Sequence, residues 1–290
     1  MIKNTLAVII NPKGSEVLII DTHAHIGRSL NFNLTEDDLL YSIDKYKIDF
    51  TLISDINCAE FDHIGEKVPK KYQTTQNESL IRALKFAEKH SGKIGVMPWL
   101  RIYNELPDEE FVDILRKNRK LIYGFKLHPF HSKTAPDDER LEVVYRLAEE
   151  FKLPIVSHTG GNEQARSIHL YNAAKAHPEI DFVMVHMDLG TDNSEALKLL
   201  GKLPNLYGDT TWVPVSTTVE AIKRYGSEKM VFGSDNTIDG KDTFLCNRTG
   251  DRSLYQQYFN ELKSMISKSD YENLMYKNAA RIFKIKGVNR

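Results

Sequence analysis

The chain is constrained most strongly by a regular alternation of two hydrophobic periods. Eight apolar runs of strand length, each bounded by polar or turn residues, follow one another: "VLIID" (17–21), "DFTLIS" (49–54), "KIGVMPWL" (93–100), "LIYGFKLH" (121–128), "LPIVSH" (153–158), "DFVMVH" (181–186), "NLYGDTT" (205–211) and "KMVFGSD" (229–235). Segments of helical period lie between them. In "SLIRALKFAEKH" (79–90) Leu80, Ile81, Leu84 and Ala87 make one stripe, and in "RLEVVYRLAEEF" (140–151) Leu141, Val144, Leu147 and Ala148 make another. Thr35 reads as the N-cap of "EDDLL", and the acidic residues of "APDDERLE" suit a first helical turn. Alternation of this kind implies parallel strands with helices outside, and eight repeats favour closure into a ring over an open sheet. The expected fold is α/β: a single (β/α)8 TIM barrel spanning 1–290. An N-terminal hairpin arm ("TLAVII" turning at "NPKG") and an extra C-terminal helix within residues 253–283 are expected as additions.

A chain of 290 residues suits one such barrel, and no Pro/Gly/Ser-rich linker divides it. Lys plus Arg number 39 against 40 acidic residues, so no broad basic field exists to hold a nucleic acid. No apolar run approaches the roughly 20 residues that span a bilayer. The N-terminal apolar run is too short for the core of a signal peptide. Cys58 and Cys246 form no Cys-x-x-Cys pair, which fits a reducing compartment. The expectation is a cytoplasmic protein with a small-molecule substrate, no nucleic acid and no membrane partner, and with homo-oligomerisation left open.

Barrel enzymes build their sites at the C-terminal ends of the strands. Here the first strand ends in His23 and His25, the fourth in Lys126 and His128, the fifth in His158, the sixth in His186 and the eighth in Asp235. Equivalent positions recur at about one barrel unit of 30 residues, with "NLYGDTT" as the skipped strand. His23 and His25, two apart on a strand, aim two imidazoles at one spot. Imidazole nitrogens with an aspartate oxygen suit a divalent metal, zinc first, with manganese, iron or cobalt as alternatives. Each residue also has a plainer reading: a hydrogen-bonded strand-end or core histidine, an N-cap for Asp235, packing for Trp212, and surface ion pairs for Arg101 and Arg166. Convergence on one rim favours a site. Asp21, one step deeper, is placed to orient an imidazole. His63, His90, His131, His169 and His177 read as surface or loop residues, His128 as supporting, and Cys58 as inert.

In order, "DTHAHIG", "GFKLHP", "SHTGG", "VHMDLG" and "FGSD" resemble the metal-dependent amidohydrolase superfamily, in particular its amidohydrolase-related branch. That branch contains lactone and amide hydrolases, and decarboxylases and hydratases of small carboxylated substrates. The resemblance implies that His23 and His25 bind the more buried metal. It also implies that His158 and His186 line the second position or the substrate, and that Asp235 is ligand and proton shuttle. Lys126 matches a lysine that is carbamylated and bridges two metals in dinuclear members, so one or two ions are implied. On this basis Asp235, His186 and His158 are the catalytic candidates. His23, His25, Lys126, His158, His186 and Asp235 are the metal candidates. Arg101 and Arg166 are candidate carboxylate clamps, and Trp212 a pocket wall. The reaction implied is metal-assisted hydrolysis of a lactone or amide-type bond, with a lyase on the same residues as the alternative. A histidine-rich phosphoesterase and a non-catalytic metal-binding barrel are readings from other classes.

Overall fold

Pairing of the strands begins with β1 (Ile20–Ser29), which lies parallel to β3 (Phe50–Asp55), and β3 lies parallel to β4 (Ile94–Val96); β2 (Phe32–Leu34) folds back antiparallel on the end of β1. The second run is also parallel throughout: β5 (Phe125–Leu127), β6 (Ile155–Gly160), β7 (Phe182–Leu189), β8 (Leu206–Asp209) and β9 (Met230–Val231). These facts come from a computed structural model that describes residues 17–29, 32–238 and 258–287. The expected hairpin arm lies outside the described residues.

Two seams join the runs into a TIM barrel. Val96 bridges Ile122 and Trp99 bridges Lys126, with Lys126 N–H donating to the Pro98 carbonyl at 2.9 Å. At the other seam Ala24 bridges Asn236, while Thr22 N–H donates to Phe232 at 3.0 Å and Asp235 N–H to His23 at 2.8 Å. Proline has no N–H to give a ladder, which is why β4 stops well short of the 93–100 run that contains Pro98.

Helices cover the outside. Thr35 caps α1 (Glu36–Tyr46) by accepting from Asp38 N–H. Thr75 and Glu78 form a reciprocal capping box on α2 (Gln76–Lys89), so this helix begins three residues earlier than its apolar stripe suggested. Within α2, Leu80, Ala83, Leu84 and Ala87 face the barrel, whereas Ile81 points to solvent. Further round lie α3 (Glu109–Lys117), the single turn α4 (Pro129–Ser132), α5 (Glu142–Phe151), α6 (Ser167–Ala176), α7 (Ser194–Leu200) and α8 (Val215–Tyr225). The C-terminal helical pieces end in Asn278–Ile282, whose Ala279 and Ile282 pack with Ile20, Val183 and Val231. The expected extra C-terminal helix thus closes one end of the core. Among the described residues no helix is long and apolar enough to cross a membrane.

Candidate metal centre

Beyond its core-forming start, β1 carries a bulge between Asp21 and Ala24, so one residue too many opposes β3 there. From this bulge onward His23 and His25 converge, their Nε2 atoms 3.0 Å apart. Asp235, arriving from β9 across the closing seam, places Oδ1 3.1 Å from His25 Nε2 and 3.6 Å from His23 Nε2. All three residues are buried. Among the described residues they form the one group of three or more His, Cys, Asp or Glu whose ligand atoms lie within 4.8 Å of one another.

Hydrogen-bond partners fix where the ring protons sit. His25 Nδ1 faces the Ser54 carbonyl at 3.3 Å, with Ser54 Oγ at 3.0 Å; a carbonyl only accepts, so Nδ1 carries the proton. His23 Nδ1 faces Asp209 Oδ2 at 3.3 Å and Thr211 Oγ1 at 3.2 Å, while Thr211 donates its own hydroxyl proton to Asp209 at 2.6 Å. Both Nε2 atoms therefore present lone pairs to each other and to a carboxylate oxygen. Three lone-pair donors gathered this closely, beside the Lys126 ammonium, are a donor set that suits a divalent cation. Donors about 2.1 Å from one tetrahedral ion are about 3.4 Å apart, and the three separations here, 3.0, 3.1 and 3.6 Å, lie around that value.

His158 and His186 extend this set. His186 Nδ1 faces the Thr211 carbonyl at 3.2 Å and His158 Nε2 the Gly160 carbonyl at 3.1 Å, so each ring turns its N–H to the backbone and keeps a free lone pair. His158 Nδ1 is buried without a partner among the described residues. The two rings meet edge to face at 4.6 Å, and His186 lies 5.3 Å from His23. Burial pushes His186 down to about 4 and His23 and His158 well below the usual imidazole range, so all are neutral. Lys126 is fully buried, with Nζ 3.0 Å from His23 Nε2. Burial lowers its pKa to about 8, against the pull of Asp235 and Asp209. The Asp235 carboxyl lies well below its usual range although burial works to raise it. Trp212 Nε1 donates to Asp235 Oδ2 at 2.8 Å, so this tryptophan fixes the carboxylate.

The backbone around these groups is strained. His186, Met187 and Asp188 occupy three successive left-handed positions (φ 69°, 48° and 68°), and Trp212 and Asp235 adopt φ 57° and 59°. Non-glycine residues accept such angles only where surrounding contacts enforce them, and they gather at sites.

Several expectations change. Strand β8 is not skipped: its terminal Asp209 orients His23 and also accepts from His186 N–H at 2.9 Å. The signal was present in "LYGD", a carboxylate ending a buried run. Asp21 does not touch an imidazole, because the bulge turns it aside; its carboxylate accepts from the backbone N–H groups of His23 and Ser234 and from the Ser234 hydroxyl. Arg101 is not a free clamp. It is buried, with Nη1 on the Thr74 carbonyl and 2.5 Å from Glu105, and Nη2 on Gln73 at 3.1 Å. Arg166 is exposed and ion-paired to Glu163 and Glu195 at 3.2 and 3.0 Å, on the wall of a cleft of about 520 Å³ between the β6 and β7 loops. His131 is no surface residue: its ring sits 4.3 Å from His128, which stacks between Trp99 at 4.7 Å and His158 at 4.1 Å. Cys58 is buried, and burial raises its thiol pKa, as suits an inert side chain.

Comparison with known proteins agrees with this architecture. The amidohydrolase profile Amidohydro_2 matches residues 20–285. No curated protein matches the sequence. Among solved structures, 2,6-dihydroxybenzoate decarboxylase complexed with 2,6-dihydroxybenzoate aligns over 93% of this chain and 100% of its own, with TM-score 0.67 and 15% identity. A dihydroxybenzoic acid decarboxylase from Polaromonas with bound manganese and 2-nitroresorcinol aligns over 92% and 97%, with TM-score 0.65 and 13% identity. A probable 2-pyrone-4,6-dicarboxylic acid hydrolase from Acinetobacter baumannii, with citric acid bound, aligns over 92% and 99%, with TM-score 0.59 and 14% identity. With the profile match running through nearly the whole chain, this protein belongs to the amidohydrolase family.

Proposed function

We propose that this chain is a metal-dependent hydrolase that opens a lactone or amide-type bond in a small carboxylated substrate. The observation that carries this reading is the convergence of two proton-free Nε2 atoms, of His23 and His25, on Asp235 Oδ1. His23, His25 and Asp235 would hold one ion, with the unpartnered His158 Nδ1 and the free edge of His186 as the remaining donors. A divalent cation held there, zinc first and manganese next, would supply a water of pKa lowered towards about 7 and a Lewis acid for a carbonyl. Asp235, ionised and steadied through Oδ2 by Trp212, takes the proton released on attack and returns it to the leaving group. His158 and His186 present no N–H to the substrate, so the charge developing on the carbonyl oxygen falls to Lys126, whose ammonium is the donor in reach of this cluster.

A second reading, decarboxylation on the same residues, is favoured by the names of two of the structural relatives. The metal assignment is tested by titrating zinc or manganese into chelator-treated protein. Stoichiometric uptake is expected, and uptake unchanged in the His23→Ala, His25→Ala double variant would sink it. Turnover in H2-18O separates the reactions: label in the organic product supports hydrolysis, and CO2 release with an unlabelled organic product supports decarboxylation.

A further inference from the structure

Two histidines beside the metal centre have no part in the scheme above. His128 and His131 lie at the start of α4 and within it, and that single turn is stapled to the loop after β3: the N–H groups of Glu60 and Phe61 donate to the His131 carbonyl at 3.1 and 2.9 Å. The Phe61 carbonyl in turn faces His131 Nδ1 at 2.6 Å. A carbonyl accepts and cannot donate, so Nδ1 carries the ring proton and Nε2, on the opposite edge, is a lone pair. No described residue bonds that Nε2. The ring is half-buried rather than free in solvent, and it joins the series of rings that runs through His128 to His158. His128 Nδ1, next to it, is buried with no partner among the described residues. A buried polar atom left unpaired costs free energy until a ligand satisfies it, which applies here to His128 Nδ1, whereas Nε2 of the half-buried His131 is an acceptor without a protein donor among the described residues.

From this geometry we infer that His131 Nε2 accepts a hydrogen bond from a hydroxyl or N–H group of the substrate, on the part lying away from the cation site. The inference rests on the barrel mouth being the substrate site, as proposed above, and it narrows the substrate to a small carboxylate that also carries a hydrogen-bond donor. A ring locked as an acceptor selects against an ether or a second anionic oxygen at that place. A site built to pair with a hydroxyl discriminates strongly against the analogue that lacks it.

The test uses matched sets of hydroxy-, amino-, methoxy- and unsubstituted benzoates, titrated calorimetrically into the zinc-loaded full chain and into its His131→Phe and His131→Gln variants. Hydroxy or amino members should bind roughly tenfold more tightly than their methoxy or unsubstituted mates, the worth of one net hydrogen bond. The preference should fall below about twofold in His131→Phe and return in part in His131→Gln. The 15N signal of His131 Nε2 should move on adding a hydroxylated member but not its methoxy mate. The assignment is overturned if no donor-bearing member binds, if the preference is absent, or if it persists unchanged in His131→Phe. Zinc uptake measured on the same samples keeps the two readings apart: no uptake by the unaltered chain refutes the metal-dependent reading, whereas uptake without the preference refutes the role of His131 alone.

Discussion

The proton on His23 Nδ1 decides whether Nε2 can serve as a ligand, and Asp209 with Thr211 holds that proton in place. An outer partner of this kind raises ligand basicity and fixes ring orientation, and its loss costs about 10- to 100-fold in metal affinity. Asp209→Asn should therefore weaken zinc binding by that range, measured by competition with a chromogenic chelator. Affinity within twofold of the unaltered chain would show that Asp209 does not orient the ring. Burial raises the Asp209 pKa to about 7, so a buried carboxylate is retained here at a desolvation cost that only a local task justifies. The strand-end histidines were legible because a period-2 strand reports the face of each side chain. Asp209 was overlooked because a terminal aspartate looks the same whether it caps, coordinates or orients. Arg101 and Arg166 were illegible for a related reason: a loop arginine has one sequence signature, and only the fold reveals whether carboxylates such as Glu105 and Glu195 are already beside it.

The connecting elements position these residues by close approach and by buried polar contacts. Gly233 follows β9 where that chain passes under the centre, and a Cβ there would lie 2.8 Å from Asp209 Oδ2 and Thr211 Oγ1 and 3.0 Å from His23 Cβ. Gly233→Ala should thus cost about 1–3 kcal/mol of stability by overpacking and also weaken zinc binding. Thr75→Ala, which removes the α2 cap, should cost about 1 kcal/mol with zinc affinity unchanged. Chemical denaturation and chelator competition on both variants check this pair. Equal zinc affinity in the two would refute the coupling of the β9 approach to the site. The loop after β3 depends on Glu60, whose carboxylate accepts from the N–H groups of Tyr103 and Asn104 at 3.1 and 2.7 Å. Burial pushes its pKa up to about 7 against those bonds. A carboxyl whose folded pKa exceeds its unfolded value binds its proton more tightly when folded, so its contribution to stability is present below about pH 4.5 and is lost as pH rises through 7. The loss is on the order of 3 kcal/mol. Glu60→Gln, which cannot titrate, should gain stability relative to the unaltered chain between pH 5 and 8, measured by urea denaturation. A difference independent of pH would refute the raised pKa. Element order and the strand series were legible from hydrophobic period. The β1 bulge and the truncation of β4 were less so, because both follow from how neighbouring strands meet.

At the scale of the whole molecule, the candidate ligands straddle the place where the ring closes. His23 and His25 belong to the first barrel strand and Asp235 follows the last, and the backbone bonds Thr22 to Phe232, His25 to Asn236 and Asp235 to His23 run alongside them. A cation held by these three side chains acts as a clip between segments more than 200 residues apart, and anything that binds only the folded ring stabilises it by mass action, about 2.7 kcal/mol at a hundredfold excess over Kd. That stabilisation should be distributed unevenly. Amides whose exchange requires the β1–β9 seam to open should slow when zinc is added. Exchange by opening between β5 and β6, far round the ring, should change only where it proceeds by global unfolding. Hydrogen exchange of the chelated and zinc-loaded chain, compared at Thr22, His25 and Asp235 against Phe125 and Ile155, reads this directly. Slowing at both places by the same factor would mean that the cation stabilises only against global unfolding, and slowing at neither would place the cation elsewhere. The expected pattern, strong at the seam and weak opposite it, would make the candidate ligands also the closure of the barrel. His23→Ala and His25→Ala should then abolish the zinc effect on seam exchange together with zinc uptake.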